Sequence, residues 1–135
     1  MDSPHLGRAE VSLRVPADGA YVSVLRTMTA GLAARLDFTV DDIEDLRIAV
    51  GEACALVLPQ ARPGGDLAAE FRQTPSTLEV SVRVETEGRA ELDYESFAWQ
   101  VLTTLADEAT ADAGERHLEV RFSSDSSLAL PETSR

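Results

Sequence analysis

Glu52 is the residue best placed to do chemistry in this sequence. It stands in the stretch LRIAVGEACALVL, Leu46 to Leu58, whose other members apart from Arg47 are apolar or glycine. At ~100° per residue, Ile43, Leu46, Val50, Ala53 and Val57 form one core stripe of a helix. Glu52 lies nearly opposite, among Ile48, Ala49, Ala55 and Leu56. That back surface is a second apolar face holding a single acid. Such an acid sits at the rim of a pocket or against another element, and burial of a carboxylate favours general-base chemistry or coupling to a ligand. The plainer alternative is that Glu52 reaches solvent between small residues. The second reactive group is Cys54. Its neighbours Ala53 and Ala55 carry no charge, so it reads as a small core residue rather than a nucleophile.

Composition limits what such a site can serve. The chain has 135 residues, enough for one domain with a two-layer core, read here as a single unit over 1–135 with its core at about 8–123. Twenty-four acids face twelve bases, for a net charge of -12. Binding to nucleic acid or to an anionic membrane needs the opposite sign, so both are disfavoured and a basic protein partner is favoured. Every base is arginine, and the chain has neither lysine nor asparagine. A phosphate-loop lysine and an asparagine metal ligand are therefore impossible. One cysteine cannot form an internal disulfide, and no signal peptide or apolar span is legible, so a cytoplasmic location is expected.

The elements that would carry these residues follow from periodicity. Residues 1–7 read as a loose arm. RAEVSLRVPA alternates, with Ala9, Val11, Leu13 and Val15 on one side and Arg8, Glu10, Ser12 and Arg14 on the other, and Pro16 stops it. Asp18 is positioned to cap a helix bearing Val22, Leu25, Leu32 and Leu36. Thr39 caps the helix of Glu52, with Asp41, Asp42, Glu44 and Asp45 at its positive end. DLAAEFRQ and TLEVSVRVE read as a strand pair about a TPS turn. YESFAWQVLTTLADEATADAG reads as a third helix with Phe97, Val101 and Leu105 inward, Leu102 being a further candidate. RHLEVRFS is a last strand, and SDSSLALPETSR a mobile tail. This order predicts an α/β (α+β) two-layer sandwich: a mixed, mostly antiparallel sheet with three helices on one face.

LRIAVGEACALVL resembles the first nucleotide-binding box of the GHKL (Bergerat-type) ATPase fold, as found in anti-sigma factors of the RsbW and SpoIIAB type. SFAWQVLTTLADEA is similar to that family's second segment, with Leu102, Leu105, Asp107 and Glu108 fitting its L-x-x-L-x-D-E ending. Within the family, the chain resembles the actinobacterial stress-response branch. The resemblance implies that Glu52 stands where the family has its general base. It also places Leu56 where the family has a magnesium-binding asparagine, and Leu56 offers no oxygen. The family's D-x-G-x-G box is reduced to E-T-E-G, leaving Glu85 and Gly88 as degenerate cofactor-binding positions. Ser96, Phe97, Ala98 and Trp99 replace the glycines that would let backbone approach phosphate. Trp99 is thus expected to fill space rather than stack on a nucleotide.

The resemblance therefore implies an anti-sigma factor that holds a sigma factor and is released by partner switching with an anti-anti-sigma protein of the STAS type. It also implies a homodimer with no metal ligand of its own, in which ATP binding is weak or lost and Glu52 is the remnant of a base. ATP and Mg²⁺ remain its cofactors if the family site is retained. The alternative is an active ATP-dependent serine/threonine kinase acting on that antagonist. A third reading is an α/β-sandwich domain with some other small ligand. The family's contact helix corresponds to Asp18–Leu36, where Arg26 and Arg35 are the candidate partner-binding residues. Both also read as ordinary solvated arginines.

Overall fold

The computed structural model describes residues 10–128; the expected arm, Arg8, Ala9 and the end of the expected tail lie outside this range. Five strands, β1 (Val11–Pro16), β2 (Asp66–Thr74), β3 (Thr77–Glu85), β4 (Glu108–Ala113) and β5 (His117–Asp125), form one sheet in the order β1-β2-β3-β5-β4. Every neighbouring pair is antiparallel. Helices α1 (Val22–Ala34), α2 (Val40–Val57) and α3 (Phe97–Leu105) form the second layer. In that layer α2 packs on β3 and β5, with α1 and α3 on either side of it. No helix among the described residues is long and apolar enough to cross a membrane.

Alternation in the strands builds the core in rows that cross the sheet. Val11, Phe71, Val80, Phe122 and Ala109 make one row; Leu13, Ala69, Val82, Val120 and Ala111 the next; Val15, Leu67, Val84, Leu118 and Ala113 the third. All residues of β2, β3 and β5 in these rows are buried, while those of β1 and β4 are half-buried at the two edges. The opposite face is charged. Arg121 bridges Glu79 at 3.3 Å and Glu119 at 3.1 Å, and its guanidinium helps bury Glu79, which is 5% exposed.

The start of α2 matches its acidic signature. Thr39 Oγ1 accepts from the Asp42 amide, and Asp42 accepts in return from the Thr39 amide, each at 3.0 Å. Asp42 Oδ2 also accepts from the amide and the hydroxyl of Ser127. Burial alone would raise the Asp42 pKa, but these hydrogen bonds outweigh it and lower it.

Several expectations are corrected. The third helix is not 21 residues long: it ends at Leu105, and Glu108–Ala113 is a strand. Alanine favours helix wherever nothing opposes it, but here Ala109, Ala111 and Ala113 pair with β5 and face the core in alternation. The sheet consequently has five strands and no parallel pair. Phe97 does not point inward; it is 78% exposed. The buried stripe centres on Leu102, and Phe97 lies about 140° round the helix from it. Asp18 does cap, but through Ala20 in a short 3-10 turn, Gly19–Tyr21, that leads into α1. Leu36 falls beyond the end of that helix.

Candidate functional site

The candidate site is a recess of about 500 Å³ between the last turn of α2, the 86–96 loop and the start of α3. Leu56 and Ala55 form one wall, Ser96 and Ala98 another, and Arg89, Glu91 and Asp93 supply its charged lining. Leu56 is 9% exposed, and Ala49, two turns earlier on the same side of α2, is buried. Ile48 and Ala55 remain exposed. The second apolar surface inferred for α2 is thus partly sealed by α3, which packs beside it. Glu52 is half-buried on that side, one turn before Leu56.

Gln60 fixes the loop, and nothing in the sequence singled it out. Its amide nitrogen donates to the Glu91 carbonyl while its amide oxygen accepts from the Glu91 N–H, 3.0 Å away. The other side of the loop is held by backbone bonds, Thr86 N–H to the Arg116 carbonyl and Ala90 N–H to the Gly114 carbonyl. Ser96 caps α3 by accepting from the Trp99 amide at 3.2 Å. Trp99 is half-buried and packed on the core, and its ring meets Tyr94 edge-on with centroids 5.2 Å apart.

The other candidate residues lie elsewhere. Val84 points into the core, so Glu85, the next residue of β3, points to the opposite face of the sheet. There it pairs with Arg62 at 3.6 Å, in a smaller recess shared with Arg14 and Arg83. Glu52 and Glu85 are therefore on opposite sides of the sheet. Gly88 has open space where a side chain would stand, and its carbonyl accepts from the Thr86 hydroxyl. No close backbone approach requires glycine there.

No family model matches the chain. It is 36% identical over 75 residues to proteins named serine-protein kinase RsbW in Bacillus thuringiensis (strain Al Hakam), Bacillus cereus (strain AH820) and Bacillus anthracis. Over these residues the chain is similar to RsbW. Each match takes in 54% of this chain and 47% of the relative, so the chain spans about half the length of the curated relatives it matches.

Arg26 of α1 and Arg35, the residue just after it, do different things. They are nine positions apart and so about 180° apart round the helix. Arg26 is half-buried against α2: a Cβ placed on Gly51 would stand 3.0 Å from its Nη2 and 3.1 Å from its Nε. Arg35 is exposed and caps the C-terminus of α1. It borders a shallow apolar groove of about 530 Å³ formed with Val24, Met28 and Leu32.

Cys54 is fully buried. Burial pushes its thiol up to about 12, against a smaller opposing pull from the Arg26 guanidinium. At pH 8 the native thiol is expected to react with an aromatic disulfide reagent roughly a thousandfold more slowly than the unfolded chain, because only the thiolate attacks. Following the released chromophore with and without guanidinium checks this, and prompt native reaction would contradict it.

Proposed function

We propose that the chain is a cytoplasmic anti-sigma factor, homodimeric, that sequesters an RNA polymerase sigma factor and releases it to a STAS-type anti-anti-sigma protein. The observation that carries this reading is the 75-residue similarity to the RsbW kinases. The net charge of -12 supports a basic protein partner and a fast, salt-sensitive encounter, screened over about 8 Å at physiological ionic strength. The exposed side of α1, with the apolar groove and Arg35, is the proposed contact surface. Co-purification with each sigma subunit of the source organism tests the assignment, and failure with all of them would reject it.

Mg-ATP binding is proposed to be weak or lost. Leu56 presents only carbon to the recess, and its charged lining is Glu91 and Asp93 against one base, Arg89, which pairs with Glu115 at 3.5 Å. Calorimetric titration with ATP and Mg²⁺ is expected to give a Kd weaker than about 1 mM. Magnesium-dependent binding in the low micromolar range would overturn this.

The second reading is a serine/threonine kinase acting on the antagonist, and Glu52 favours it. The half-buried acid stands one turn from the recess, where a base would serve. Phosphate transfer to the antagonist that disappears in Glu52→Gln would establish that reading.

A further inference from the structure

We propose that the aromatic patch at the start of α3 is a docking surface for an arginine-bearing segment of a protein partner. The proposal does not depend on the anti-sigma reading. Three of the seven aromatic residues in the chain fall within six positions, Tyr94 to Trp99. Phe97 is 78% exposed and Tyr94 56% exposed. Local structure does not require this exposure. Ser96 already caps the helix, and Leu102 already anchors it, so Phe97 contributes nothing to holding α3 in place. Its ring nevertheless stays in water at a substantial hydrophobic cost. Tyr94 is held by its edge-to-face contact with Trp99, so the patch is an ordered surface.

Charge identifies the occupant. From Ala90 to Glu115 the chain carries seven acids and no base. Glu91 and Glu95 are exposed within the patch, and Asp93 is exposed while its Oδ1 also accepts from the Glu95 amide. A guanidinium satisfies both components: it lies flat on aromatic rings through cation–π attraction and pairs with carboxylates through its fork of N–H donors. The recess beside the patch, walled by Leu56, Leu92 and Ala98, receives apolar side chains that flank such an arginine; Arg89 also lines it, with its guanidinium paired to Glu115 at 3.5 Å. Nucleic acid would be repelled, and a second copy would bring two of these acidic segments together. The patch and the α1 groove lie on different flanking helices, with α2 between them.

Trp99 is the only tryptophan, so the full chain reports on its own patch. The probe is a tryptophan-free peptide with arginine at every third position and leucine between. Trp99 emission is expected to change saturably on titration. Phe97→Ala should weaken binding about tenfold, the size expected for a lost ring–guanidinium contact in a partly dry site. Phe97→Tyr should retain it, Glu95→Gln should weaken it, and Glu44→Gln, on the exposed start of α2, should leave it unchanged. Since Phe97 is exposed, unchanged thermal unfolding of Phe97→Ala is expected to confirm that the fold is intact. Wild-type affinity in Phe97→Ala would mean diffuse attraction to an acidic chain and would overturn the proposal. So would a silent Trp99, or a peptide-independent dimer that is lost in Phe97→Ala, since that would assign the patch to self-association.

Discussion

Leu102→Ala is expected to cost about 3 kcal/mol of folding stability and to release α3 from the helix layer. The helix has nine residues, too few to persist without tertiary support. Leu102 is its one fully buried side chain, while Ala98, Trp99, Val101 and Leu105 are only half-buried around it. Truncation leaves a cavity that a short, singly anchored helix fills only by moving. Denaturant unfolding measures the loss, and Trp99 emission should shift to the red as its ring meets more water. A loss under about 1 kcal/mol with an unchanged spectrum would show that the Gln60-clamped loop, rather than Leu102, holds the helix.

Phe122→Ala is expected to be more damaging, at about 4 kcal/mol. Phe122 is 1% exposed on β5, paired with Val80 on one side and Ala109 on the other. It supplies most of the bulk at that end of its row, because β4 contributes only alanine. A larger neighbour could lean into the space left behind, but a methyl group cannot reach across it, so the cavity persists. The denaturation midpoint should fall while the slope of free energy against denaturant stays the same. A change in slope would indicate that β4 has detached in the native state.

β4 marks the boundary between what the sequence makes legible and what it does not. Elements defined by large residues were legible. The Leu78, Val80, Val82 and Val84 alternation gave β3, and the Thr39 and acidic start gave α2 with its cap. In α2 Glu52 is half-buried, while Ala49 and Leu56 on the same side are buried and Ile48 and Ala55 are exposed. In β4 the inward residues are all alanine, whose small side chain gives no strand signal and whose backbone preference points to helix. Helical periodicity therefore runs on past Leu105 into β4, and of the expected stripe only Phe97 faces away from the core. Glu79 and Ser81 lie on the other face of β3 and are also buried, Glu79 beneath Arg121 of the neighbouring β5, a contact that alternation along one strand does not reveal. Gln60 was invisible because its role lies in pairing with a backbone segment 31 residues away, and glutamine after Pro59 has no local signature.

Asp42 makes two attachments with very different demands on the order of folding. Its bond with Thr39 spans three residues and can form as soon as the first turn of α2 appears. Its bonds with Ser127 close a loop of 85 residues and require β5 to have been drawn alongside β3 first. Closing so long a loop late is inexpensive, because the intervening sheet has already restricted the chain. One carboxylate thus takes part in both an early local event and a late topological one. The latter belongs to the final stage of assembly, where interactions slow unfolding more than they speed folding.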